Sequence, residues 1–232
     1  MRDPWHPPLT ILDLIEPWQT SIGAAVALCA AGLAFWNTTR TLRNSERLEI
    51  QRRRQKQIAL RAVLPLALSE IAGYAMSIGK TLFELHSSCV NRVLVHASAV
   101  PVTFDAAPRD VISILADFIE YSDQLDVQLF VHLIRRIQVQ QARLGSLSRN
   151  IARSHGSTSA YDIEHHIVDC AAVYAGAVAA FDYARQEMEI LPSDIVWKNV
   201  RSGLKNMGLW QSTAPTVHQL VDRLEQKSNG PR

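Results

Sequence analysis

The chain lacks the short motifs that identify common classes of enzyme. Its 232 residues contain no glycine-rich phosphate loop, no Gly-x-Ser-x-Gly nucleophile elbow and no His-Glu-x-x-His zinc sequence. Its three cysteines, Cys29, Cys89 and Cys170, include no Cys-x-x-Cys pair. An odd number of cysteines at these separations favours free thiols over a disulfide framework. We therefore expect no bound cofactor, and no motif assigns a catalytic residue.

Charged side chains are absent from residues 17–39, where Trp18 and Trp36 lie near the two ends. A helix of this length spans roughly 34 Å, which matches the hydrocarbon thickness of a bilayer, and tryptophan favours the bilayer boundaries. The sequence therefore predicts a single transmembrane helix over residues 17–39. It is preceded by an outer interfacial segment, residues 1–16.

Two other interpretations of this segment can be weighed. A cleaved signal peptide carries its positive charges before the apolar core, whereas here they follow it. A buried soluble helix is the second interpretation, because the most apolar part, residues 22–36, is short for a span. Small residues share one helical face at Gly23, Ala27, Ala31 and Ala34. That spacing permits close helix packing, so a homo-oligomer formed through the span or the bundle is a possible partner arrangement.

A basic stretch follows the uncharged segment directly. Residues 40–61 carry eight basic groups against two glutamates, whereas residues 1–39 carry one basic and three acidic groups. Basic residues next to a span stay on the cytoplasmic side, so we expect the N-terminus outside and the remainder of the chain in the cytoplasm. The stretch is predicted to be a helical stalk that attracts anionic lipid headgroups. The residues predicted to contact lipid are Trp18, Trp36, Arg40, Arg43, Arg47, Arg52, Arg53, Arg54 and Lys56.

Nucleic acid is the other anionic partner that a basic stretch suggests. No aromatic residues are interleaved with Arg52, Arg53, Arg54 and Lys56 to stack on bases. The basic surplus is also local, because residues 62–232 have a net charge of −2. We therefore expect lipid contact and no nucleic-acid partner.

The rest of the chain has the periodicity of long amphipathic helices. Apolar positions, interrupted in the second set only by Gln140, recur every three or four residues along three segments, which places each set on one helical stripe. The stripes are Leu64, Leu68, Ile71, Ala75, Ile78, Leu82 and Leu85; then Phe130, Leu133, Ile137, Gln140, Leu144, Leu147 and Ile151; then Ile163, Ile167, Cys170, Tyr174, Ala177, Phe181, Ala184 and Met188. Helices of this kind bury their stripes against one another. The predicted fold is all-α: an antiparallel helical bundle over residues 62–228, with a frayed tail at 229–232.

Turn and capping residues predict where these helices begin and end. Ser122 and Asp123 separate a helix over residues 108–121 from the next one, and Ser159 or Thr158 caps the helix beginning near Tyr161. Shorter helices are expected at residues 194–207 and from residue 215. The residues expected to mark the beginnings and ends of these later helices are Pro192, Ser193, Gly208 and Pro215. Pro192 is predicted to end the third stripe's helix, Ser193 to cap the next and Gly208 to close it.

The connection over residues 91–107 is longer than a usual bundle loop and rich in β-branched residues. It is either an ordered crossover packed over the end of the bundle, which we favour, or a partner-binding strap.

One cluster contains residues capable of binding a metal. Asp162, His165, His166 and Asp169 recur at three- and four-residue spacings, so pairs of them share helical faces, and Glu164 lies among them. A di-iron bundle would need a Glu-x-x-His element on each of two helices and two further glutamates, and the chain contains no Glu-x-x-His element. Charged residues in the first turns of a helix usually form a solvated face, so these four are weak candidates for a metal site.

A segment after the stalk resembles a group of known sequences. It reads Arg61-Ala62-Val63-Leu64-Pro65-Leu66-Ala67-Leu68-Ser69-Glu70-Ile71. Together with the span and the arginine-rich stalk, it resembles uncharacterised single-pass proteobacterial membrane proteins over the first third of the chain. The resemblance implies a bacterial inner-membrane setting and no catalytic residues.

These observations favour a membrane-anchored cytoplasmic helical module that acts in interaction or as a scaffold, with an unknown protein partner. Two alternatives remain open. One is a metal-dependent enzyme that uses the Asp162 to Cys170 cluster, and the other is an effector whose oligomerised span perturbs the bilayer.

Overall fold

The computed structural model describes residues 11–96, 102–122, 127–153 and 156–229, with side chains described from residue 23 to 228. The structure is 78% helical and contains a small two-stranded sheet. The helices are α1 (Ile11–Ser87), α2 (Arg109–Tyr121), α3 (Gln128–Ala152), α4 (Ala160–Ala179), α5 (Phe181–Ala184), α6 (Trp197–Asn206) and α7 (Pro215–Asn229), and the strands are β1 (Val93–Val95) and β2 (Ser157–Ser159). The prediction of a helical protein is confirmed.

Some predictions fall outside the described part of the chain. They concern residues 1–10 of the outer segment, the side chain of Trp18, the capping role of Asp123 and the end of the tail from residue 230.

The chain divides into two compact units, an N-terminal unit of residues 1–54 and a C-terminal unit of residues 55–232, and α1 supplies residues to both. In the N-terminal unit, every side chain described from Gly23 to Thr38 is exposed. Glu49 and Arg53 form the expected pair one turn apart, at 2.9 Å between Oε1 and Nη2.

In the C-terminal unit two of the predicted stripes and most of the third form the core, whereas Tyr174 and Phe181 of the third are half-buried and Met188 is exposed. All seven positions of the α1 stripe and all seven of the α3 stripe are buried, and α1 continues through Pro65. Helix α4 is central and packs against α3, α6 and α7. A glycine permits the close approach of α6 to α4: a Cβ at Gly203 of α6 would lie 2.8 Å from Cδ1 of Tyr174 in α4. Residues 160–184 are long and apolar enough to cross a membrane, but 67% of the most apolar 18-residue window within them is buried, as expected for a core helix.

The two strands belong to connections that sequence periodicity does not resolve. They pair antiparallel, with Val93 opposite Ser159 and Val95 opposite Ser157, and Leu94 of β1 is buried. Beyond residue 101, the Ser148 hydroxyl donates to the carbonyl of Val102 at 2.7 Å. The described parts of the 91–107 connection therefore agree with a packed crossover.

Several boundaries agree with their predicted signals. Helix α2 ends at Tyr121, with Ser122 as its C-cap. The Ser159 hydroxyl accepts a hydrogen bond from the backbone N–H of Tyr161 and so caps α4. Gly208 follows α6 with a φ of 84°, a conformation that glycine adopts at little cost.

Two predicted boundaries are wrong. The third stripe's helix was expected to continue to Pro192, but α4 ends at Ala179, the single turn of α5 follows, and the chain reverses at Gln186. Arg61 bonds this region from a distant part of the chain: its guanidinium donates to the carbonyl of Tyr183 in α5 and to the carbonyl of Met188 beyond it.

The next helix was expected to begin at Asp194, with Ser193 as its cap, but α6 begins at Trp197. The carboxylate of Asp194 accepts a hydrogen bond from the neighbouring N–H of Ile195, and the N-cap residue, Val196, has no capping side chain.

Candidate functional site

Basic residues of the N-terminal unit follow Trp36 along one face of α1. Arg40, Arg43 and Arg47 come four, seven and eleven residues after Trp36, and at about 100° per residue all four positions lie within about 60° of helix surface. Together with Phe35, Thr39 and Asn44 they line a groove of about 590 Å³. We call Trp36, Arg40, Arg43 and Arg47 the arginine face. Its three guanidiniums form no ion pair with any residue in the described part of the chain.

Other residues predicted to contact lipid have different neighbours. Arg53 is paired with Glu49. In the C-terminal unit, Lys56 lies 4.0 Å from the ring centroid of Tyr121, and a hydrogen bond with that hydroxyl raises the pKa of the lysine. Sequence spacing indicates the pair of Glu49 and Arg53, but it cannot indicate the contact of Lys56 with Tyr121, because those two residues are distant in the chain.

The Asp162 to Cys170 cluster is dispersed over different faces of α4. Asp162 and His166 line a shallow cleft, the ring of His165 contacts Tyr161 edge to face at 4.5 Å between centroids, and the carboxylate of Asp169 pairs with Arg143 at 2.8 Å. Within the described residues, no three His, Cys, Asp or Glu side chains are arranged to hold a metal ion. The metal-enzyme alternative therefore remains a sequence prediction without added structural support.

The cleft beside His166 is polar. It measures about 310 Å³ and lies between α3, β2 and α4. Its lining residues are Arg143, Ser146, Leu147, Asn150, Ser157, Thr158, Asp162 and His166. Nδ1 of His166 is buried without a hydrogen-bond partner among the described residues, and burial lowers the pKa of this histidine.

Glu164 belongs to a different constellation, which sequence reasoning did not identify. Its carboxylate is 1% exposed and accepts hydrogen bonds from His86 Nε2 at 3.1 Å and Arg92 Nη2 at 3.0 Å, and it also bonds Thr216. Burial acts to raise the pKa of Glu164, but the bonds from Thr216 and His86 and the charge of Arg92 lower it overall. This cluster joins the end of α1, the residues before β1, α4 and α7.

The left-handed backbone before β1 brings Arg92 to Glu164. Asn91 and Arg92 have φ values of 51° and 62°, which side-chain-bearing residues rarely adopt. The signal in the sequence is weak, because asparagine tolerates this conformation but arginine does not mark it. The arrangement is that of a structural ion pair, since its carboxylate has no open side toward solvent.

The fold and these sites define a mostly helical protein with a long, apolar N-terminal helix and a packed C-terminal helical unit. Comparison with protein-family models, with curated proteins and with solved structures finds no match to this chain.

Proposed function

We propose that this chain is a single-pass membrane protein whose C-terminal unit acts in the cytoplasm as an interaction or scaffold module. One observation carries the proposal: residues 23–36 have no charged side chain and no polar side-chain group other than the Cys29 thiol and the Trp36 indole N–H, and all of these residues are exposed. The same chain buries its other apolar stripes almost completely. An exposed apolar surface of this length needs a bilayer or another apolar environment to cover it.

The hydroxyl groups at the end of the apolar segment support this proposal. Thr38, Thr39 and Thr41 each donate to the carbonyl four residues earlier, at 2.8 Å. Hydroxyl groups satisfied within the helix avoid the cost of leaving water at the bilayer boundary. The basic residues that follow favour an N-terminus on the outer side. The proteobacterial resemblance supports the inner membrane as the setting.

The anchor is tested by extraction of bacterial membranes with alkaline carbonate. Full-length wild type should stay in the membrane pellet. The double variant Leu28→Arg and Leu33→Arg should be released, because each arginine at mid-span costs about 2.5–3.5 kcal/mol of insertion free energy. Leu48→Arg is the matched control, because it places the same substitution on the exposed surface of the same helix beyond the apolar segment. Release of wild type, or a mature chain that has lost its N-terminal residues, would overturn the proposal.

The orientation is tested with a membrane-impermeant maleimide on intact spheroplasts, in a background carrying Cys29→Ala and Cys89→Ser. Thr10→Cys should be labelled, and Ser228→Cys should be labelled after permeabilisation alone. The opposite pattern would reverse the proposed topology.

The interaction role is tested by affinity purification of full-length protein from detergent extracts, with the Leu28→Arg and Leu33→Arg variant as the comparison. A reproducible partner, or a second copy of the chain, is expected with wild type. Repeated recovery of monomeric protein without a partner would argue against a scaffold.

A further inference from the structure

We infer that the arginine face binds the phosphate groups of anionic phospholipids in the leaflet next to the C-terminal unit. This inference rests on the proposed membrane anchor and adds to it a defined lipid site. Chemistry and position both support it: three guanidiniums without ion pairs follow an exposed indole and an exposed phenyl ring along one side of a groove.

The heights of these residues match the headgroup layer. At about 1.5 Å per residue, Arg40 lies about 6 Å and Arg43 about 10 Å beyond Trp36, and headgroups extend roughly 5–8 Å beyond the hydrocarbon core on each side. Side chains of an α-helix tilt toward its N-terminus, which in this topology is toward the bilayer. The guanidinium of Arg43 therefore reaches back into the headgroup layer. Arg47, at about 16 Å, acts mainly through its charge.

The charges of the face favour a bound anion. Arginines three and four residues apart repel each other along a helix, and no acidic side chain pairs with them in the described part of the chain. The planar fork of guanidinium matches two phosphate oxygens, and phosphate relieves the repulsion at the same time. Arg53, one turn beyond Glu49, already has its counter-ion.

The groove also favours a lipid over phosphate in solution. Phe35 and Trp36 are 75% and 70% exposed, and they lie immediately before the arginines. A glycerophospholipid presents the same order of chemistry, with an apolar chain, a polar boundary and then a phosphate. An isolated phosphate ion would use the guanidiniums and leave the aromatic side chains uncovered.

The experiment measures which lipids remain bound to the full-length protein. Protein is reconstituted in nanodiscs that contain equal amounts of phosphatidylglycerol and phosphatidylcholine, and retained lipids are counted by native mass spectrometry. Wild type should retain phosphatidylglycerol preferentially. Arg40→Gln with Arg43→Gln should lower the ratio of the two lipids by about tenfold or more, since each basic group near the surface contributes about a fivefold preference.

The matched control is Arg52→Gln with Arg53→Gln. It removes the same charge from the same helix. Charge alone predicted lipid contact for these two arginines, but they lie about 24 and 26 Å beyond Trp36 and point about 160° and 100° away from it, so they should leave the lipid ratio unchanged. Arg54→Gln tests whether distance from the bilayer matters, because Arg54 points in the same direction as Trp36 around the helix but lies about 27 Å beyond it.

If the two double variants lowered the ratio of phosphatidylglycerol to phosphatidylcholine equally, the result would overturn a lipid site on the arginine face and would indicate non-specific attraction by the basic charges. Absence of a lipid preference in a wild type that resists carbonate would overturn this inference and leave the anchor standing, whereas release of wild type by carbonate would overturn both. Tight binding of inorganic phosphate to detergent-solubilised wild type, lost in the Arg40→Gln and Arg43→Gln variant, would assign the face to free phosphate instead.

Discussion

At the scale of single residues, Glu164 is the carboxylate most deeply embedded in the described structure. Its neighbours come from three other segments of the chain, through His86, Arg92 and Thr216. Buried ion pairs contribute little net free energy compared with a well-packed apolar alternative, but loss of one partner leaves the others unsatisfied. Glu164 is therefore a position at which a small chemical change should have a large effect on folding.

Glu164→Gln tests this expectation. The glutamine keeps the shape of the side chain but weakens three charge-assisted hydrogen bonds, so the free energy of unfolding should fall by about 1.5–3 kcal/mol. Glu49→Gln is the control, because it removes a carboxylate of an exposed ion pair and should have no measurable effect. Urea denaturation of the full-length protein in mild detergent, followed by circular dichroism, measures both. Equal stability of the two variants would show that the Glu164 cluster is not a structural constraint.

The pH dependence of the same residue has a definite sign. The pKa of Glu164 is lowered in the folded state, so its stabilising contribution is present above the unfolded-state pKa of about 4.3 and is lost as pH falls through the lower folded-state value. The difference in unfolding free energy between wild type and Glu164→Gln should therefore be constant above about pH 5.5 and shrink below about pH 4. A difference that grew on acidification would contradict the assigned direction.

At the scale of helices and strands, the spacing of apolar residues in the sequence correctly predicted which faces of α1 and α3 are buried. The stripes of α1 and α3 are buried as expected, because positions three and four residues apart necessarily share a helical face. The arrangement of α5 could not be predicted in this way, because the guanidinium that bonds the carbonyl of Tyr183 comes from Arg61, 122 residues earlier in the chain. The pairing of Val93 with Ser159 is equally distant. Long-range partners account for these errors and for the overlooked Glu164 cluster.

The packing of α6 on α4 depends on a glycine. A Cβ at Gly203 would lie 2.8 Å from the Tyr174 ring and 3.3 Å from the carbonyl oxygen of Ala171, so Gly203→Ala should force the helices apart and destabilise the protein by about 1–3 kcal/mol. Gly73→Ala is the matched control within α1, because no atom lies within 4 Å of its new methyl group. There, alanine should stabilise the helix by about 0.5–1 kcal/mol. Opposite signs in urea denaturation are expected, and destabilisation by both variants would contradict the packing argument.

At the scale of the whole molecule, the apolar residues fall into two groups, of which one is buried in the core and the other is exposed. The described core residues all come from position 64 or later, whereas the large apolar side chains from Val26 to Trp36 are exposed. A folded unit that already has a complete core does not need an apolar anchor for stability. The exposed apolar segment is therefore not needed to complete the described core, which agrees with its proposed role as an anchor.

Removal of residues 1–54 should leave the C-terminal unit folded, with a free energy of unfolding within about 0.5 kcal/mol of the same transition in the full-length protein, because no described core side chain is lost.

Arg61→Ala in the truncated protein supplies the contrast. Arg61 lies within the retained helix, donates to the carbonyls of Tyr183 and Met188, and stacks on the Tyr183 ring at 4.2 Å from its guanidinium carbon. Its loss should cost about 2 kcal/mol, since the carbonyls at the end of α5 lose a charged donor. Thermal and urea denaturation followed by circular dichroism measure both changes. A truncated protein that unfolds or aggregates would mean that the first 54 residues contribute to folding, and no loss of stability in Arg61→Ala would contradict the assigned role of Arg61.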